Sequence, residues 1–173
     1  MFNLFNGGNF HVCILLVGLP GSGKSTIRRK IIEKFPSCFN FKIVSRDDIL
    51  EETIKHYGLS YRESFLHKEV QDEVNVRFEE MKRNAVGENV IVDLTNLSRE
   101  VRAQNLAPYK ELSNYWKVAI VCERSMKELL ETNEQRSLFG RNIPLDVIMG
   151  MVARFEEPTL SEGFNAILSS RDF

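Results

Sequence analysis

The stretch His11 to Thr26, HVCILLVGLPGSGKST, constrains this chain more than any other. Its first part, Val12 to Val17, is an apolar run too short to span a membrane and rich in β-branched residues, which predicts a buried strand. Its second part, Gly18-Leu19-Pro20-Gly21-Ser22-Gly23-Lys24-Ser25, fits G-x-x-x-x-G-K-[ST] at every fixed position. A polyphosphate has to be approached by several backbone N–H groups at once, and a Cβ at the glycine positions would obstruct the φ/ψ values this needs. The helix expected over Lys24 to Lys34 would point the positive end of its dipole at the anion. The expected nucleotide cradle is therefore Gly18, Pro20, Gly21, Ser22, Gly23, Lys24, Ser25 and Thr26. Within it, Lys24 would sit on the β- and γ-phosphates of ATP, and Ser25 would offer its hydroxyl to Mg²⁺.

A chain of 173 residues with 43% hydrophobic content predicts one domain with a sizeable core, over 11–173, preceded by an apolar lead-in over 1–10. A net charge of −1 excludes a strongly basic coat, so any nucleic-acid contact must be local. Cys13, Cys38 and Cys122 share no short spacing, and His11, His56 and His67 are scattered. Neither a disulfide framework nor a zinc site is expected. The lead-in lacks a basic n-region and a long h-region, so no signal peptide is predicted and the expected location is cytoplasmic, or the host cytoplasm for a phage-encoded chain.

Strand and helix patterns alternate along the rest. Phe35-Pro36-Ser37 is a break, and Phe41 to Ser45 is a second strand ending at Arg46-Asp47-Asp48. Ile49 to Tyr57 and Arg62 to Ala85 read as helices, the second with Phe65, Val70, Val74, Phe78 and Met81 as its apolar stripe. Asn89 to Asp93 is a third strand, followed by a helix from an N-cap at Ser98 to about Leu112. Trp116 to Cys122 is a fourth strand, and Ser125 to about Arg136 a further helix. The segment Ser137 to Pro144 is a loop, Leu145 to Phe155 a last helix and Phe164 to Leu168 a fifth strand. This order predicts an α/β three-layer sandwich of the P-loop NTPase type, with about five parallel strands, flanking helices and a short lid loop.

A phosphate loop leaves the fate of the γ-phosphate open. Asp47, at the end of a strand expected beside that loop, can accept a proton from an acceptor hydroxyl, while Asp48 is the expected helix cap. Asp93, after Val-Ile-Val, suits a magnesium-organising carboxylate, with an N-cap or structural role as the alternative. Arg136 and Arg141 bracket the loop before Pro144, where a mobile arginine would stabilise transition-state charge on the triphosphate.

Taken together, these residues resemble the kinase domain of 5′-hydroxyl polynucleotide kinases, the phage and metazoan end-healing enzymes. The resemblance rests on the phosphate loop, Ser45-Arg46-Asp47-Asp48, Val92-Asp93-Leu94-Thr95-Asn96, Arg136 before Ile143-Pro144, and Arg154 to Phe164. It implies ATP and Mg²⁺ on Lys24 and Ser25, Asp47 as general base for a 5′-hydroxyl end of DNA or RNA, and Arg136 as the lid arginine. Two positions depart from the family. Leu50 stands three residues after the base, where phage enzymes place an arginine that grips the acceptor's phosphate, and Thr132 stands where some members pack an arginine on adenine.

Two other classes remain open from the residues. One is a P-loop kinase of a small metabolite such as a nucleoside or sugar; the other is an ATP-binding switch without an acceptor. The segment Leu50 to Lys68 should discriminate. Glu51, Glu52, Glu63 and Glu69 would repel a phosphate-rich strand, whereas Tyr57, Tyr61 and Phe65 offer faces for base stacking or for core packing.

Overall fold

The computed structural model describes residues 10–35 and 40–173. The break at Pro36-Ser37, Cys38 and all but the last residue of the lead-in lie outside them. Five strands form one parallel sheet: β1 (His11–Val17), β2 (Phe41–Ser45), β3 (Asn89–Asp93), β4 (Tyr115–Val121) and β5 (Ala166–Ser169), in the order β2-β3-β1-β4-β5. The helices are α1 (Lys24–Lys34), α2 (Arg46–Tyr57), α3 (Lys68–Asn84), α4 (Arg99–Leu106), α5 (Met126–Ser137) and α6 (Leu145–Ala153).

Strand β1 explains the three layers. Its residues alternate between faces, and neither face meets water. Cys13, Leu15 and Val17 join a core with Leu50 of α2, Val70, Val74 and Phe78 of α3, and Leu106 of α4. Val12, Ile14 and Leu16 join a second core with Ile27 and Ile31 of α1. A parallel sheet covered on both sides reads as a continuous apolar run for this reason. Among the described residues, no helix is long and apolar enough to cross a membrane.

The polar side chains set where several helices begin. Helix α2 starts at Arg46 and not at Ile49, because the Ser45 hydroxyl accepts the Asp48 N–H at 3.2 Å. The cap is Ser45, which corrects the assignment of that role to Asp48. Both aspartates lie in the first helical turn, where carboxylates complement the dipole. The expected long helix from Arg62 is interrupted as well. Ser60 and Glu63 exchange hydrogen bonds, Ser60 N–H to the Glu63 carboxylate at 2.8 Å and Glu63 N–H to the Ser60 hydroxyl at 3.3 Å. They close a 3-10 turn at Glu63–Phe65 and leave α3 to start at Lys68. Phe65 is thereby excluded from the α3 stripe and stays 53% exposed.

Helix α4 carries the expected Ser98 cap but ends at Leu106. Its Arg102 is fully buried and every guanidinium N–H group is used. Nε and Nη2 donate to the two Glu162 carboxylate oxygens at 2.7 and 2.8 Å, and Nη1 donates to the carbonyls of Asn96, Leu97 and Glu156. Burial pushes the Glu162 carboxyl up, but hydrogen bonds from Arg102 and the Thr159 N–H, with the charges of Arg102 and Arg99, hold it below the ordinary glutamate value. The segment from Glu156 to Glu162 is thus pinned to the loop that follows β3.

Candidate active site

The phosphate loop leaves β1 at Gly18, whose N–H donates to the Thr95 carbonyl at 2.9 Å. Gly21 and Gly23 sit at φ 81° and 90°, a region L side chains rarely enter. At Gly18 space is limiting: a Cβ there would fall 2.6 Å from the Ser22 hydroxyl and 2.7 Å from the Cys122 carbonyl. Lys24 folds back beneath the loop and donates to the Gly18 and Leu19 carbonyls, each at 2.9 Å. Burial pulls its ammonium down from the ordinary lysine value, while Asp93, Cys122 and Asp47 hold it up. The Ser22 hydroxyl is buried without a hydrogen-bond partner. Left-handed glycines, a half-buried lysine and an orphaned hydroxyl fit a cradle for a polyphosphate.

The loop is held from below by residues whose role the sequence did not disclose. Asn96 is fully buried and is the one non-glycine residue at positive φ (50°) among the described residues. Its Nδ2 donates to the Leu16 carbonyl at 2.7 Å, and its Oδ1 accepts from Asn105 Nδ2 at 2.7 Å. Asn105 Oδ1 in turn accepts from the buried Lys82 ammonium at 3.0 Å. A chain of polar groups therefore runs from α3 through α4 to the last residues of β1.

Register places the carboxylates. Leu16 of β1 and Ser45 of β2 both align with Asp93 at the end of β3. Asp93 is thus on the strand next to the phosphate loop, and Asp47 opens α2 just after β2, the strand beyond it, which corrects the expectation that Asp47 ends the adjacent strand. With strands about 4.8 Å apart, β2 stands roughly 10 Å from β1. That gap leaves room for a transferred phosphoryl group and an acceptor oxygen.

Arg28 is one helical turn after Lys24, and its guanidinium reaches Asp48 at 2.9 Å and Asp93 at 3.1 Å. Burial pushes the Asp93 carboxyl up, Arg28 and Lys24 draw it back down, and Asp47 and Asp48 add to the rise. The i, i+4 spacing from Lys24 was the available signal for Arg28. Ser25 and Asp93 line the same cavity, of about 880 Å³, and offer the hard oxygen ligands that Mg²⁺ accepts.

The lid segment 138–144 is tied to α5: Asn133 exchanges two hydrogen bonds with the Ile143 backbone, both at 2.8 Å. Arg136 lines the cavity and acts electrostatically on both Lys24 and Tyr61. Arg141 lines the same cavity. It pairs with Glu51 of α2 at 2.8 Å and lies over the Tyr61 ring at 6.0 Å, on the Asp47 side of the cleft. Arg124 stands beside Thr132 and the phosphate loop: its Nη1 donates to the Thr132 hydroxyl at 3.0 Å and its guanidinium lies 3.4 Å from where a Gly23 Cβ would stand.

The four acidic residues after Asp48 are engaged individually. Glu51 pairs with Arg141, Glu52 with Arg77 and Glu69 with His67, while Glu63 caps its own turn. Tyr57 donates to Glu73 at 3.0 Å, and only Tyr61 and Phe65 of the three aromatics line the cavity.

This fold and site define a P-loop kinase: a parallel sheet with a phosphate loop after β1, a carboxylate opening the helix after β2, two strands away, and an arginine-bearing loop lining the same cavity. The chain belongs to the family described as the AAA domain, whose model matches residues 13–158. It is 29% identical over 147 residues to the cytidine diphosphoramidate kinase of Campylobacter jejuni, a match covering 84% of this chain and 80% of that protein. It is 31% identical over 146 residues to the L-seryl-tRNA(Sec) kinase of Methanococcus maripaludis, of which it spans 52%. A solved structure of the Pnkp1/Rnl/Hen1 RNA repair complex contains a chain that superposes with a TM-score of 0.66 at 26% identity, covering 87% of this chain and 45% of that one.

Proposed function

We propose that the protein transfers the γ-phosphate of ATP to the 5′-hydroxyl end of a DNA or RNA strand. The observation that carries this reading is the placement of Asp47. It stands one strand beyond Asp93 on the carboxyl edge of the sheet, where the cleft continues from the phosphate loop to Tyr61, Arg62 and Phe65. In open α/β sheets that edge is where ligands bind. Two of the relatives support a nucleotide-containing acceptor by name, one a cytidine derivative and the other a tRNA.

In this reading the loop amides and Lys24 hold the β- and γ-phosphates, with Arg124 beside the loop. Ser25 and Asp93 would hold Mg²⁺, which when bound neutralises charge on the phosphate oxygens. Asp47 accepts the proton of the acceptor hydroxyl as its oxygen bonds to the γ-phosphorus; the bond from that phosphorus to the β–γ bridging oxygen breaks and ADP leaves. Arg136 meets the charge that spreads over the equatorial oxygens. The test is incubation with γ-labelled ATP and Mg²⁺ in the presence of 5′-hydroxyl oligonucleotides, cytidine nucleotides, nucleosides and sugars. Label on the oligonucleotides supports the proposal. Label confined to the small acceptors establishes the metabolite-kinase reading, which the Campylobacter relative favours, in its place.

A further inference from the structure

The far end of the cleft carries a pair of aromatic rings that the phosphoryl-transfer residues do not explain. Tyr61 and Phe65 pack edge to face with centroids 5.2 Å apart. Tyr61 is partly buried and fixed: it belongs to the core beside α2 and lies beneath Arg141. Phe65 is 53% exposed although it lines the cavity, since the capped turn at Ser60–Glu63 holds it out of the α3 stripe. A large ring held half in water by a dedicated hydrogen-bonded turn gains little for folding. Arg62, in the same turn, also lines the cavity, and its guanidinium makes no hydrogen bond or ion pair with the described residues.

We infer that Phe65 is the platform on which the terminal nucleobase of the acceptor strand stacks, with Arg62 meeting the first internucleotide phosphate. This rests on the proposed 5′-hydroxyl kinase activity and states how the strand is held. Phe65 is braced against Tyr61 by the edge-to-face contact and keeps much of its ring surface open, and an open aromatic ring can accept any base. Of the neighbouring carboxylates, Glu51 is neutralised by Arg141, while Glu63 keeps its charge and is occupied with the Ser60 N–H.

The test uses two oligonucleotides differing only in whether the 5′-terminal nucleotide carries a base or is abasic, each with the wild type and with Phe65→Ala. Base stacking on an aromatic side chain corresponds to roughly a fivefold to hundredfold change. The wild type is expected to use the abasic end that much less efficiently in kcat/KM. Phe65→Ala should lose a similar factor on the intact end and almost nothing more on the abasic one, with the KM for ATP unchanged. Leu66→Ala, at the adjacent and 85% exposed position, is expected to behave as wild type. Equal use of both ends by the wild type, or losses that multiply, overturns the platform while leaving the kinase activity standing. Failure to phosphorylate any oligonucleotide overturns both.

Discussion

Replacing Asn96 tests whether the phosphate loop is supported from within the sheet. Asn96→Ala removes two buried hydrogen bonds, to the Leu16 carbonyl and from Asn105, worth about 1 kcal/mol each. It strands the Asn105 amide donor in a dry site, which adds roughly 1–3 kcal/mol. It also puts a β-carbon without a compensating side-chain bond at φ 50°, at a cost of about 1 kcal/mol. The loss should reach about 4–6 kcal/mol, a large share of the roughly 5–15 kcal/mol that holds such a domain together. Asn96→Gly loses the same bonds but tolerates the left-handed backbone, so it should come out about 1 kcal/mol more stable than the alanine variant. Urea unfolding of the three proteins reads both numbers, and nucleotide titration of the folded fraction should show weakened ATP binding, since Thr95 beside Asn96 holds Gly18. A loss below about 1 kcal/mol for alanine, or a glycine variant less stable than it, refutes the argument.

Three further perturbations address the chemistry. Asp47→Asn should lower phosphorylation by a factor of about 10² to 10⁴ with ATP affinity and thermal midpoint little changed, whereas Asp48→Asn gives up an exposed contact with Arg28 and should cost no more than about 1 kcal/mol of stability. Steady-state rates of the pair check both, and equal losses would dissolve the distinction between the two carboxylates. Arg136→Ala should reduce kcat more than ATP binding, with little rescue by lysine, because a point charge cannot reproduce the guanidinium fork; a loss seen only in ATP affinity contradicts this. Arg28→Gln removes the larger of the two influences that draw the Asp93 carboxyl down. Its ionised form then requires higher pH, so the acid limb of the kcat/KM profile should move upward, and a downward move would exclude Asp93 as the group that sets it.

The five parallel strands, the order of elements and the phosphate loop were legible because periodicity and glycine spacing are local properties. Strand order is not local. Nothing between residues 41 and 93 states that β3 inserts between β1 and β2, so Asp47 was expected one strand too close. The Ser45 cap was missed because a strand running directly into a helix leaves no loop to announce it. Phe65 matched a helical stripe in spacing, yet the Ser60–Glu63 bonds redirected it. The Arg141–Glu51 pair joins residues 90 apart in sequence, so no local window discloses it. The buried Asn96–Asn105–Lys82 chain joins three elements, and no single window of sequence contains it.

The Arg102–Glu162 pair also bears on how this domain can be cut, fused or transplanted. A shortened version ending before Glu162 would leave a fully enclosed guanidinium facing only carbonyls, and breaking a buried pair from one side costs about 3–5 kcal/mol. The affected carbonyls belong to Asn96 and Leu97, so such damage would spread from a remote cut to the loop after β3, whose Thr95 carbonyl holds Gly18. An engineer seeking the smallest working unit should therefore keep the Thr159–Glu162 turn together with Phe164 and β5, which complete the core and the sheet behind it.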